Sequence, residues 1–443
     1  MRHLILCFCC FGSLASAAIR PLVETGTSPS PVGAGVRALG MGEAFVAVAD
    51  DASAGSWNPA GLTQMERPEF SLVYGYEARQ DDITSSRHPE SAQTSSSNHD
   101  DLQYFSYVHP LEAWGKVMAL SLNYQRMFAF DKNVGFPFAL QSNSIKGNVD
   151  YQMQQSGEFT VLSPAFAWEP TPHLSLGVSA FIWDDSLTGA SSFEKNESSL
   201  GTLAFDASIF SPSATGSVNI IDRLNLRQAY TVSSGQSFNV GLLWSISSLW
   251  KCGVVVKSGA QLKLDKTTQL QLNQTNANNG TVYNNNQSVM SERAQMNFPS
   301  SAALGVMRRF GDTGLVSFDV TYTDWANYEL IEGGQTLNPV SGGTKASDST
   351  LALRLGGEKL WLRETTIVPF RCGLGLDPEP SVEGQDLYYT GSFGTGLTWG
   401  KISLDWSNQL RFGYDVGRAA YQGLDGRATV TQFRTALGLV YTL

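Results

Sequence analysis

The sequence has little charge, almost no cysteine and, beyond its first residues, no long hydrophobic run. Asp, Glu, Lys and Arg make up 16% of the 443 residues, where about 25% is usual for a soluble chain. Lys and Arg number 30 against 40 Asp and Glu, and no basic run occurs, so the electrostatic footprint of a nucleic-acid binder is missing. Cys7, Cys9 and Cys10 fall in the leader, which leaves Cys252 and Cys372. Two cysteines cannot make a disulfide framework, and neither has metal-ligand spacing. Both lie in strand-like runs (KCGVVV and FRCGLGL), where unpaired thiols are favoured over a bridge. No stretch past the leader holds 18 consecutive apolar residues, which excludes transmembrane helices. There is no G-x-S-x-G and no H-E-x-x-H. His88 and His99 sit in a polar loop and His109 and His173 at short turns, so nothing marks an enzyme, a metal site or a cofactor. GAGVRA, residues 33–38, fits a dinucleotide fingerprint, but that fingerprint needs a preceding strand and SPSPV precedes it.

What is present is a leader, glycine, aromatics and alternation. Met1-Arg2-His3, an apolar run from Leu4 to Leu14 and Ala15-Ser16-Ala17 form an export signal over 1–17. Gly numbers 43 and aromatics are 11%. In VSFDVTYTDW, Val316, Phe318, Val320 and Tyr322 face one way and Ser317, Asp319, Thr321 and Thr323 the other. Ile402, Leu404 and Trp406 alternate with Ser403, Asp405 and Ser407 in the same manner. Fourteen strands follow, beginning near Phe70, Gln103, Lys116, Glu158, Leu174, Ser237, Lys251, Ser301, Leu315, Thr350, Ile367, Leu387, Lys401 and Val430. Their connections alternate: long over 80–101, 130–156, 186–235, 265–298, 329–348, 378–386 and 414–429, short between. An even strand count with every long loop at one end predicts an all-β, 14-stranded antiparallel transmembrane barrel over 70–443, in the outer membrane. Trp114, Trp168, Trp399 and Trp406 suit its interfacial girdle. The Asn/Gln-rich segment 265–298 reads as a solvated loop. Segment 186–235, with Leu203, Phe205, Ile209 and Phe210, reads as a loop folded over the mouth and containing short helices.

Residues 18–69 precede the first strand. VRALGMGEAFVAVAD predicts a mostly apolar helix of about three turns. Asp51 or Ser53 can cap a second short turn, which Asn58-Pro59 stops. About 50 such residues are too few to be stable alone, but inside a fourteen-stranded barrel they have walls to pack on. The segment therefore reads as a small helical plug.

GVRALGMGEAFVAVADDASAGSWNPAGL resembles the N-terminal signature of the FadL-like (OmpP1/FadL/TodX) outer-membrane transporters, including its Asn-Pro-Ala element at Asn58, Pro59 and Ala60. FPSSAALGVMRRF with SFDVTYTDWANYE, and VPFRCGLGLDPEP with YYTGSFGTGLTWGKISLDW, resemble later parts of the family. The resemblance implies passive uptake of long-chain fatty acids or other hydrophobic compounds. Extracellular loops would capture the ligand and pass it beside the plug, and it would leave laterally. It implies a hydrophobic small molecule and outer-membrane lipid as partners and no cofactor; the chain reads as a monomer. Trp57, Asn58, Pro59 and Ala60 are the expected gate, and Phe45, Leu203, Phe205, Phe210 and Arg411 the candidate ligand contacts. Arg37 and Arg371 are further candidates for a carboxylate, with pairing to lumen acids such as Asp319 or Asp405 as the alternative for all three arginines. The N-terminal pattern is also similar to FadL-like barrels that act as shuttles or scaffolds in protein secretion, so a secreted protein is the alternative partner.

Overall fold

Period-two alternation with apolar residues outward and small or polar residues inward closes a sheet into a cylinder when lipid lies outside. The computed structural model describes residues 34–141, 144–209, 215–340, 344–381, 384–418, 421 and 425–443; the export signal and Phe210 lie outside them. In chain order the strands are β1 (Glu69–Ser85), β2 (Gln93–Ala113), β3 (Lys116–Ala129), β4 (Lys132–Gln141), β5 (Ile145–Thr171), β6 (Leu174–Trp183) and β7 (Ser192–Asp206). There follow β8 (Ser217–Ser245), β9 (Trp250–Lys257), β10 (Gln261–Asn276), β11 (Val282–Asn297), β12 (Ser300–Phe310), β13 (Gly314–Asp324), β14 (Glu329–Glu332) and β15 (Gln335–Leu337). The last are β16 (Thr350–Leu362), β17 (Thr366–Pro380), β18 (Gln385–Trp399), β19 (Ile402–Val416) and β20 (Gly426–Thr442).

Fourteen of these form the closed antiparallel barrel. Around the ring the order is β1, β2, β3, β5, β6, β8, β9, β12, β13, β16, β17, β18, β19 and β20, and β20 pairs back onto β1 from Glu69↔Thr442 to Ser85↔Gly426. All fourteen expected strands are present. Tyr441, Leu439, Leu437 and Phe433 at the C-terminus share the exposed outer face. At the short-turn end Trp114, Trp168, Trp399 and Trp406 are exposed, joined by Trp244, Trp250 and Trp361, as an interfacial girdle requires.

The long connections differ from the expectation. Among its described residues, segment 186–235 has only two short helical turns, Asp185–Thr188 and the 3-10 turn Ala207–Ile209, and most of the rest is strand: β7 and the upper half of β8. The Asn/Gln-rich segment is the hairpin of β10 and β11. With β4 and upper β5 these build a second tier of sheet continuous with the barrel wall. The physical reason is cross-strand pairing: each barrel strand already holds its neighbour in register, so extending the ladder satisfies more backbone than a detached loop would. The inner face of this tier carries Phe136, Phe138, Tyr151, Leu203 and Phe205. They pack on Tyr388, Tyr421 and Val430 from the opposite rim, so the tier leans across the mouth.

Candidate functional site

Residues 34–65 lie inside the barrel; Phe45, Ala47, Val48, Asn58, Ala60 and Leu62 have no exposed surface. The expected three-turn helix is a single turn, Val36–Gly40. Gly42 and Glu43 then take positive φ of 63° and 64°, which ends a helix. The wall compensates: Asp319 of β13 accepts the Val46 N–H at 2.8 Å, and Glu43 pairs with Arg354 of β16 and Arg434 of β20. A second short helix, Ala54–Trp57, follows Ser53, whose N–H and hydroxyl both bond Asp51. Asn58 is extended, and a 3-10 helix, Pro59–Gln64, begins at Pro59.

The wall meets this segment through glycines. Gly177 of β6 is the direct partner of Gly241 of β8, Gly253 of β9 that of Gly305 of β12, and Gly356 of β16 that of Gly373 of β17. A methyl group at Gly177 would lie 2.3 Å from Pro59 C, one at Gly241 2.1 Å from Asn58 Oδ1, and one at Gly253 2.4 Å from Val46 O. At Gly356 it would lie 2.2 Å from Met41 O, and at Gly373 2.2 Å from Gly42 N. Glycine in a strand costs stability unless another backbone must come close. Here the lumen segment is what comes close, on strand after strand.

Asn58 joins the two. Its Nδ2 donates to Val46 O at 2.9 Å and to Leu242 O of β8 at 3.1 Å, and its Oδ1 accepts from Ala60 N at 3.2 Å. Asn58→Ala takes from Val46 O and the Ala60 N–H their side-chain partner in a buried place, and from Leu242 O a bond additional to its ladder, at about 1–3 kcal/mol. The measurable result is a lower urea midpoint for the lipid-embedded protein, with Thr63→Val, which removes a hydroxyl bond to Ser175, losing less.

Trp57 donates its Nε1–H to Ala34 O and meets Phe45 edge-on, with ring centroids 6.0 Å apart. Beside it lies an aromatic pocket lined by Phe128, Phe181, Trp183 and Phe298. Phe298 stacks on Phe128 at 4.3 Å. The cavity volume there open to a water-sized sphere is about 30 Å³, room for one water. Lys257 of β9 borders this pocket and, on its other side, a polar one of about 60 Å³ lined by Glu43, Asp319, Arg354 and Asp377. Its Nζ lies 3.4 Å from Ser56 O and 5.9 Å from the centre of the Trp57 ring, and no described carboxylate pairs with it. The arginines differ. Arg37 pairs with Glu358 and Asp50, Arg371 with Glu358 and Asp405, and Arg354 with Asp377. Arg411 pairs with Glu379 and stacks over Tyr388.

The expected residues thus fall into three places. Trp57, Asn58, Pro59, Ala60 and Phe45 gather in the lumen segment. Leu203 and Phe205 lie higher, under the second tier, and Arg411 is held by an acid. Lys257 and the aromatic pocket were not anticipated. The phase of KCGVVVK, which puts Lys257 on the inner face with Gly253 and Val255, carried the signal. Cys252 and Cys372 are both free.

The chain matches, over residues 30–353, the family described as outer membrane protein transport protein (OMPP1/FadL/TodX). No curated protein sequence matches. Among solved structures it is similar to a Pseudomonas aeruginosa FadL homologue, with 15% identity, 94% of this chain and 100% of that one covered, and a TM-score of 0.58. The toluene transporter TodX of Pseudomonas putida matches at 12% identity, 94% and 100% coverage and a TM-score of 0.57. For the toluene transporter TbuX of Ralstonia pickettii the values are 12%, 93% and 99%, and 0.53. These structures share the fold, and the family match covers most of the chain: it belongs to the OmpP1/FadL/TodX family and is an outer-membrane channel for hydrophobic compounds.

Proposed function

We propose that this channel takes up long-chain fatty acids or similar hydrophobic carboxylates by passive partitioning. The observation that carries the reading is Lys257: a lumen cation without an acid, placed between an aromatic pocket and a polar compartment. An amphiphile fits this junction. Its carboxylate would take the ammonium, and its tail the space made when Phe128, Phe298 and Trp183 move apart. Each buried methylene contributes about 0.8 kcal/mol, so an acyl chain supplies the energy for its own capture. The apolar inner face of the second tier, with Leu203 and Phe205, offers a first surface for the tail. The 57–60 turn, fixed to β8 through Asn58, is the gate, and residues 34–65 are the plug.

Relatives named as transporters or channels of toluene and other monoaromatic hydrocarbons define the competing cargo, which has no charge. Lys257→Met separates the two. It should weaken long-chain fatty acid binding about 10- to 100-fold, the loss of a charged hydrogen bond worth roughly 1.5–3 kcal/mol, and leave toluene binding as it was. Fluorescent fatty acid titration of the purified protein measures this. Unchanged fatty acid affinity would place the head group elsewhere.

A further inference from the structure

We propose that His99, Asp101 and Glu158 form a binding site for a divalent transition-metal ion of the zinc type at the extracellular mouth of the barrel. His99 and Asp101 project inward from the part of β2 whose outer face is polar (Thr94, Ser96, Asn98, Asp100), beyond the lipid-facing band. Glu158 follows the bend of β5 at Gly157, where φ is 115°. Candidate ligand atoms of the three residues all lie within 4.8 Å of one another. The strands that supply them are not neighbours. β3 runs between them, and its last residue, Ala129, pairs with Glu158. An ion here would join β2 to β5 over the end of β3.

Three observations favour an ion over a closed set of ion pairs. First, His99 Nε2 and Glu158 Oε2 are buried atoms without a hydrogen-bond partner, and their separation of 3.8 Å is too long for a hydrogen bond. Second, Asp131 Oδ2 lies 2.7 Å from the other ring nitrogen, Nδ1, close enough to bond it once the ring turns, although it has no hydrogen-bond partner of proper angle as it stands. A carboxylate in that position behind an imidazole orients Nε2 towards a metal and raises its basicity. Third, among the described residues the three carboxylates of Asp101, Asp131 and Glu158 still outnumber the cations that face them, which are His99 when protonated and Arg126, whose buried Nη1 is 3.8 Å from Glu158 Oε2 and also lacks a hydrogen bond. A divalent ion neutralises that excess. One nitrogen and two oxygen donors suit zinc with water in the fourth position. The site would act on the channel through its neighbours in sequence. Asp131 follows Phe130 and Glu158 precedes Phe159, and these rings meet at 4.8 Å within the aromatic cluster that includes Phe128 and Phe298. An occupied site would hold that cluster still.

The test uses intact protein in detergent, stripped by chelator and titrated with zinc chloride at pH 8, where protons compete less for the ligands. Calorimetry should give one ion per chain with micromolar or tighter affinity, and elemental analysis after gel filtration should find it retained. Asp131→Asn, which changes the group beside the imidazole and not one of the three ligands, should weaken binding about 10- to 100-fold, and His99→Gln should abolish the site. Heat-modified gel mobility shows that each barrel is folded. No zinc on the native protein, undiminished zinc on folded His99→Gln, or calcium bound in preference to zinc would each overturn the assignment.

Discussion

Gly373→Val opens the channel to ions. A methyl group on Gly373 would stand 2.2 Å from Gly42 N and 2.3 Å from Met41 C, and these are backbone atoms that no rotamer change can move aside. The facing residue across the ladder, Gly356, already lies against Met41 O, so the lumen segment has no room on that side. Overpacking of this kind costs about 1–3 kcal/mol. Displacing the 40–43 turn also pulls Glu43 from Arg354 and Arg434 and strains the Arg37–Glu358 pair. Removing one partner from a buried ion pair costs more still, about 3–5 kcal/mol. The strands themselves keep their ladder, because a valine suits a strand. The expected product is a folded barrel whose leading segment is unseated. In planar bilayers it should show steady conductance where the native channel shows little, and cells carrying it should admit large antibiotics. Gly391→Val on the adjoining β18 is the control, since a methyl group there meets nothing within 4 Å. If folded Gly373→Val protein conducts no better than Gly391→Val, the glycine contacts do not seat the segment.

These glycines show where sequence reasoning stops. Alternation located the membrane strands well: Phe318 and Tyr322 are exposed to lipid while Ser317, Asp319 and Thr323 are buried within, as their spacing required. It stopped short at the second tier. Residues such as Ser198, Thr202, Asn225 and Gln271 are polar like loop residues, yet the ladder continues through them because a partner strand is already in register. Gly177, Gly253 and Gly373 read in isolation as weak points in strands. Only their common inward phase, shared with Lys251 and Val255 or with Arg371, says that a second backbone lies against them. The Asn58-Pro59-Ala60 turn was legible because its chemistry is local: an amide side chain caps the 3-10 helix that proline starts. Its partner Leu242 was not, since that contact spans 184 residues. The same holds for the amine of Lys257: that no described carboxylate pairs with it depends on where five arginines find their acids. The helix expected over 36–50 failed for a related reason. Its apolar spacing was real, but Asp319, Arg354 and Arg434 of the wall satisfy the segment in a non-helical form.

A disulfide joining Leu162→Cys on β5 to Ile182→Cys on β6 should arrest uptake of long-chain fatty acid, and a reductant should restore it. The ladder between these strands has pairs at Leu162↔Ile182 and Ala165↔Ser179 but none between. Pro164 lies in the gap and has no N–H to give. Behind this seam stands the lumen segment, with Ser179 Oγ donating to Gly55 O at 2.6 Å. Phe181, opposite Ser163, lines the aromatic pocket. A tail held in that pocket has two ways on. Downward lies the network of Arg37, Glu358, Arg371 and Asp405, where every methylene forgoes about 0.8 kcal/mol of apolar surroundings. Sideways lies the seam, with the half-buried Leu162 and the lipid-facing Ile182 at its upper edge, and beyond it hydrocarbon. A lateral route would keep the tail out of water throughout; on the proposed reading the seam is the exit, and holding its edges together should stop transport without touching the pocket. The pair is made in a background of Cys252→Ser and Cys372→Ser, with each single replacement as control. Uptake of labelled oleate by whole cells should fall under oxidation to the rate of cells lacking the protein, while binding to the purified channel persists. Full uptake by the oxidised double variant would place the exit between other strands, or through the lumen segment itself.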